Sequence, residues 1–271
     1  MEELTRRGYR LSLSAREDMR ITLSKKQVTS NYVVATKFYT RRALNMEVVV
    51  RMFCPLWHTN EGFGVMNVGN NVLLFVFERE VDAEKVLLGE PWSYDRHLVV
   101  LERFDGRKPI SELEFKLCSF WVQIHELPFK FMSSETAMEI GETIEPISQS
   151  YDISKMKGGS FMRVQTTIDV SVPLCQGRRI MFDDESEGWV EFQYERLPNM
   201  CYWCGMLTHD NIDCEVWLKS KRSLSLDKQQ FSPWLRAPQF NLTRRQTIEV
   251  KGFNSEPSLH QPERDGGRIG P

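Results

Sequence analysis

The chain has 271 residues, 41% of them hydrophobic and 11% aromatic, with a formal net charge of −2 at pH 7. These values suit one large or two ordinary globular domains and exclude a polycation, so charge has to be read locally. Six cysteines in this length form no disulfide framework, and neither an N-terminal apolar signal segment nor a run of about 18 apolar residues occurs, so a secreted or membrane-spanning chain is not expected.

Residues 1–30 are polar and basic, carrying Arg6, Arg7, Arg10, Arg16, Arg20, Lys25 and Lys26, and are expected as a poorly ordered lead-in. Residues 32–39 are β-branched and aromatic and predict a strand. Thr40 is placed to cap a helix over 41–54, which Pro55 ends, with Leu44, Val48 and Met52 on its inner face. A strand over 62–68, turn chemistry at Gly69-Asn70-Asn71 and a continuous apolar strand over 72–77 follow. A short helix over 80–88 puts Val81, Val86 and Leu88 inward, and Gly89 and Pro91 stop it. A last strand covers 97–104. The order βαββαβ over 31–106 predicts a four-stranded antiparallel sheet with both helices on one face. That is the ferredoxin-like, RRM-like architecture of RNA-recognition modules. The third strand lacks the basic residue, the glycine and the aromatic spacing of the RNA-binding signature. Phe75 and Phe77 are therefore expected in the core rather than stacked on bases.

Gly106-Arg107-Lys108-Pro109 opens a second, smaller α+β unit at 118–198. Phe120, Val122 and Ile124 alternate on a strand over 120–127 that Pro128 ends. Ser133 or Ser134 caps a helix over 135–144 with Ala137, Ile140 and Ile144 inward. A strand over 162–170 and a hairpin of 178–182 with 189–195 complete the unit. The hairpin turns across the acidic stretch Asp183 to Gly188, with Val190, Phe192 and Tyr194 alternating inward. Cys54, Cys118 and Cys175 lie far apart among apolar neighbours and are expected as buried free thiols. That suits a reduced compartment, nucleus or cytoplasm. Beyond 217 the chain loses periodicity, with eight basic and two acidic side chains between Lys219 and Lys251, and reads as a basic, mostly disordered tail over 217–271.

Between these parts, at 199–216, lies the most specific signal in the sequence. Cys201, Cys204, His209 and Cys214 follow the spacing C-x2-C-x4-H-x4-C. Three thiolates and an imidazole are the donors that tetrahedral Zn2+ prefers, and a full set of four leaves no open position. The site reads as structural. Gly205, just past Cys204, suits a backbone that folds back under a metal with positive φ.

Several phrases carry a resemblance. Phe120-Trp121-Val122-Gln123-Ile124-His125-Glu126-Leu127-Pro128, Gly177-Arg178-Arg179-Ile180, Tyr194-Glu195-Arg196-Leu197-Pro198 and the cysteine motif occur in this order, flanked by Pro91-Trp92 and Pro233-Trp234-Leu235-Arg236-Ala237. In them the chain resembles the plant domain-of-unknown-function family DUF 4283 followed by a CCHC zinc knuckle, and is similar to the first open reading frame of LINE-type retrotransposons. The resemblance implies zinc and nucleic-acid binding, no established enzymatic activity, and a transposon-derived plant gene or gene fragment. This knuckle departs from the retroviral type. Thr208 stands before His209, and the loop carries Asp210 and Asp213 with no Lys or Arg.

The leading expectation is a zinc-dependent single-stranded nucleic-acid-binding protein, RNA before DNA. Tyr202 or Trp203 would stack an unpaired base, unless they pack the knuckle against the preceding domain. Lys219, Lys221, Arg222, Arg236, Arg244 and Arg245 would meet phosphates, unless they are simply solvated. The alternative is a protein–protein adaptor with a structural zinc site. An enzyme is not expected. His125-Glu126 lacks the second histidine of a zinc hydrolase helix and lies on a strand, and no phosphate loop or nucleophile elbow occurs.

Overall fold

The computed structural model describes residues 32–145, 155–182, 185–221 and 223–238. The lead-in at 1–30, Asp183 and Asp184 of the acidic turn, and the chain beyond 238 lie outside the described residues. The protein is α+β and is built on two antiparallel sheets.

The first sheet holds Tyr32–Phe38 (β1), Phe63–Gly69 (β2), Val72–Phe77 (β3), Trp92–Tyr94 (β4) and His97–Phe104 (β5) in the order β2-β3-β1-β5-β4, all pairs antiparallel. Two helices, Met46–Trp57 (α1) and Glu80–Leu88 (α2), join its strands. Period-2 alternation turns Val34, Phe38, Leu73, Phe75, Phe77, Val99 and Leu101 to one face. Val49, Phe53 and Trp57 of α1 and Ala83 and Val86 of α2 share that buried cluster, so both helices cover the same face. Phe75 and Phe77 are fully buried there, among the rings of Phe53, Trp57 and Phe63.

Three details differ from the sequence pattern. The sheet has a fifth strand, β4, because Asp95 and Arg96 both take positive φ and close a tight hairpin without the usual Asn-Gly signal. The first helix starts at Met46, not at 41. Asn45 is the cap, its Oδ1 accepting the N–H groups of Glu47 at 3.0 Å and Val48 at 3.3 Å, while Thr40 accepts only from the N–H of Arg42. The helix then runs through Pro55 to Trp57, and its buried face is Val49, Phe53 and Trp57, one residue on from the expected stripe. Burial of the two aromatic side chains outweighs the one hydrogen bond that proline removes. In α2 only Val86 of the expected residues is inward. Val81 and Leu88 are exposed, and Ala83 and Asp82 are buried instead.

The second sheet holds Leu117–His125 (β6), Met162–Asp169 (β7), Gly177–Met181 (β8) and Glu187–Tyr194 (β9) in the order β7-β6-β9-β8. Ser134–Glu142 (α3) packs on it, capped by Ser133, whose Oγ accepts the Thr136 N–H at 3.1 Å. Phe120, Val122, Ile124, Met162, Val164, Val190, Phe192 and Tyr194 form its core. Leu98 and Val100, on the face of β5 away from the helices, belong to this same buried cluster. The two sheets are therefore not independently cored. Of the thiols expected to be buried, Cys118 is, Cys175 is half-buried and Cys54 is exposed on the outer side of α1. Among the described residues no helix is long and apolar enough to cross a membrane.

Asp82 supplies a test of the first unit. It is 1% exposed, and its carboxylate accepts the N–H groups of Asn60 at 2.9 Å and Glu61 at 3.2 Å. The Asn60 hydrogen bond leads the interactions that hold its pKa below the usual aspartate value. A depressed folded pKa means stability that is present above the ordinary aspartate value and is lost as pH falls from there through the lower folded value. Asp82→Ala should destabilise the chain by about 1.5–3 kcal/mol at pH 7, measured by urea unfolding, with the difference shrinking as pH drops toward 3.

Candidate metal centre

The metal motif is delivered by the end of β9, and each residue of Tyr194-Glu195-Arg196-Leu197-Pro198 is tied to another element. Tyr194 is buried and its hydroxyl donates to the Cys175 carbonyl at 2.6 Å. Glu195 accepts from Gln123 Nε2 at 2.9 Å and from Arg163 Nη2 at 2.7 Å, and the Arg163 guanidinium lies 4.0 Å from the centre of the Trp121 ring. Arg196 reaches back to the first unit, donating to the Gly89 and Glu90 carbonyls with its guanidinium over Trp92. The Leu197 and Pro198 carbonyls accept from Arg236 at 2.9 and 3.0 Å. The chain therefore enters the knuckle on a fixed path.

Cys201, Cys204, His209 and Cys214 then converge, with their ligand atoms all within 4.8 Å of one another. Cys204 Sγ and His209 Nε2 are 3.4 Å apart. Tetrahedral zinc, with Zn–S near 2.3 Å and Zn–N near 2.0–2.1 Å, places ligand atoms roughly 3.5–3.8 Å apart, so the donor set fits such an ion with little movement. The tight loop is made by the backbone. Gly205 N–H donates to the Cys201 carbonyl at 2.7 Å, Cys201 N–H to the Met206 carbonyl at 2.8 Å, and Tyr202 N–H to Asn211 Oδ1 at 2.6 Å. Gly205 has φ +76, and a Cβ on it would come within 2.3 Å of the Phe231 ring. Position 205 thus needs glycine twice over, for conformation and for space.

Burial raises the thiol of Cys201 to about 12 and raises that of Cys204 as well. Burial also opposes ionisation of Cys214, but the N–H groups of Trp217 and Val216 and the Cys201 thiol, directed at its sulfur, hold it below the usual thiol value. The Cys201 and Cys204 sulfurs receive N–H groups too, from Cys204 and Trp203 and from Met206. Backbone dipoles directed at three clustered sulfurs favour the thiolate form, and a cation among them completes that electrostatic arrangement.

The residues expected to touch nucleic acid are not brought together. Trp203 is 6% exposed and stacks on Trp217, ring centres 5.1 Å apart and planes 10° from parallel. Tyr202 is half-buried against the core of the second unit. Lys219 is exposed on Glu215–Lys219 (α4) and pairs with Glu215 at 2.8 Å, and Lys221 is exposed beside it. Arg236 is exposed, and its guanidinium donates to the two carbonyls named above. Arg222, Arg244 and Arg245 lie outside the described residues.

Sequence patterns did not show what holds the knuckle in place. Phe231, Leu235 and Ala237 are buried, Ala237 N–H donates to the Tyr194 carbonyl, and Phe231 N–H to the Tyr202 carbonyl. This strap lies within the stretch that composition marks as a tail. Its only sequence signal is the Pro233-Trp234-Leu235 phrase, too short for any periodicity. On the other side, Asp213 pairs with Arg41 at 2.6 Å and Asp210 with His97 Nε2 at 3.1 Å. A cleft of about 280 Å³ lies between them, lined by Lys37, Thr40, Arg41, His97, Thr208 and His209 among others.

Comparison with known proteins finds two matching family models. The model of a domain of unknown function, DUF4283, matches residues 26–109, and a zinc knuckle model matches residues 168–216. The DUF4283 match is thus followed by the zinc knuckle match, in the order the chain's phrases predict. An uncharacterized protein of Arabidopsis thaliana is 30% identical over 138 residues, covering 49% of this chain and 42% of that protein. The chain therefore spans less than half the length of that relative. No solved structure matches.

Two substitutions test the centre. Cys204→Ser removes a thiolate and should lower metal content per purified chain from near one to near none by atomic absorption, whereas His209→Cys should retain the metal. Protons compete with metal for the thiols that burial raises, so metal should be released as pH falls, and sooner in Gly205→Ala, whose new Cβ displaces Phe231.

Proposed function

We propose that this protein binds single-stranded nucleic acid, RNA before DNA, through a zinc-dependent knuckle, and that it is a non-enzymatic protein of retrotransposon origin. The observation that carries the reading is the Cys3His cluster inside the stretch that matches the zinc knuckle model, since zinc knuckles generally bind nucleic acids. Zinc, when bound, supplies the charge that keeps the three thiols ionised and fixes the loop. The chain's own residues do the rest. Lys221 presents an exposed cation beside the knuckle, Lys219 lies next to it in an exposed pair with Glu215, and Arg41 and Arg42, with side chains 77% exposed, stand on the first unit paired with Asp213 and Asp95. The origin is supported by the DUF4283-then-knuckle order and by the phrases shared with LINE-type first reading frames. Unpaired cysteines suit the nucleus or cytoplasm.

The first unit reads as a ferredoxin-like, RRM-like module extended by β4. Its helix-free face is buried at Ala35, Leu74, Leu98 and Val100, which argues against base stacking in the middle of that sheet. The second reading, a protein–protein adaptor, is favoured by one observation. Trp203 is occupied by Trp217, and the knuckle loop carries Asp210 and Asp213 and has no Lys or Arg of its own.

Titration of labelled single-stranded RNA and DNA across a salt series separates the two. Nucleic-acid binding should show log K falling with log salt, and Lys219→Gln with Lys221→Gln should reduce that slope by roughly 0.7 for each phosphate left without its cation. Removal of residues 239–271 tests the distal basic segment without uncovering the strap. Weak binding that ignores salt, with the metal retained, would assign the knuckle to protein contacts.

A further inference from the structure

We propose that the metal in the knuckle is a rivet between the two sheets, holding the strap and the first unit in one body, rather than the support of a free-standing finger. The inference rests on the metal-binding part of the reading above and not on nucleic-acid binding. It follows from what surrounds the four ligands. Met200 and Leu207, on either side of the cysteine pair, are 4% and 3% exposed and belong to the same buried cluster as Leu98 and Val100 of β5 and Phe231 and Leu235 of the strap. Gly205 sits under the Phe231 ring, and its carbonyl accepts the Leu174 N–H at 3.0 Å.

Polar contacts complete the junction with the first unit. Asn199 N–H donates to the Arg96 carbonyl at 2.6 Å, and the Asp213–Arg41 and Asp210–His97 pairs close the far side. The two charged pairs are partly exposed and contribute little by themselves. The ligand loop is where the apolar cluster and the hydrogen bonds from three parts of the chain meet. The fourteen residues bury only a small cluster of their own, Cys201, Trp203 and Cys214 with Trp217 and Leu224 beside it, and that cluster contains two of the ligands, so the loop keeps this shape only while the ligands are drawn together. When they part, Leu207 and the backbone beneath Phe231 move, and the strap loses its seat.

Linkage makes the inference testable from both ends, because a strap that depends on the metal must strengthen metal binding by the same factor. The full chain is loaded with zinc and its metal content is measured. Hydrogen exchange is then followed before and after chelation. Removal of zinc should expose the amides of Phe231 and Ala237 and of Asn199 together with those of 201–214. In the second arm Phe231→Ala, which keeps all four ligands, should bind zinc at least tenfold more weakly in chelator competition. Strap amides that stay protected after chelation, or an unchanged zinc affinity in Phe231→Ala, would overturn the rivet while leaving the metal site intact. A chain that takes up no zinc would overturn both.

Discussion

One buried cluster holds this protein together, and it is shared by parts that the sequence separates widely. Leu98 and Val100 enter it from the first sheet, Phe120, Phe192 and Tyr194 from the second, Met200 and Leu207 from the knuckle, and Phe231 and Leu235 from the strap. Buried apolar area is the main favourable term in folding, so elements that share one core stand or fall together. Helix α1 lies outside this arrangement. Its aromatic side chains fill a separate cluster on the other face of the first sheet, with Phe53 and Trp57 at its centre. Among the described residues there is thus one private core, one common core and a small third cluster of Cys201, Trp203 and Cys214, which Met200 and Leu207 tie to the common one.

This arrangement explains which features were legible in the sequence. Strands announced themselves through period 2 wherever one face met a core, as with Phe120, Val122 and Ile124, and their limits were read within a few residues. The turn at Gly69-Asn70-Asn71 was legible because all three residues take positive φ there, the conformation that glycine and asparagine tolerate. Cys201, Cys204, His209 and Cys214 were legible because ligand spacing is a local property. The first helix was misplaced because Asn45 and Thr40 are both plausible caps, and only the burial of Phe53 and Trp57 decides between them. Strand β4 was missed because three residues, Trp92–Tyr94, carry too little pattern to be seen.

Non-local contacts account for the rest. Arg236 looks like any basic residue in a polar stretch. Its role appears only when the Leu197 and Pro198 carbonyls, some forty positions earlier in the chain, are placed beside it. Trp203 looks like a stacking platform until Trp217 is laid against it. The acids of the knuckle loop read as a departure from a nucleic-acid-binding pattern, and the structure gives them partners in Arg41 and His97. In each case composition gave the chemistry of the side chain, and only the fold gave its partner.

That distinction bears on how a knuckle of this kind can meet nucleic acid at all. A free finger offers its aromatic side chains on all sides, and stacking of a base on one of them contributes roughly 1–3 kcal/mol. Here the Trp203 face is closed by a parallel ring and the Tyr202 face rests on the second unit. A base could take the place of Trp217 only by displacing a contact of similar chemistry, so little net stacking energy is available at that ring. Phosphate contacts face less competition, because Lys221 is exposed and Lys219 is held only by an exposed i,i+4 pair with Glu215. Recognition through this surface would then rest on charge more than on stacking, with weak preference among sequences and strong dependence on salt.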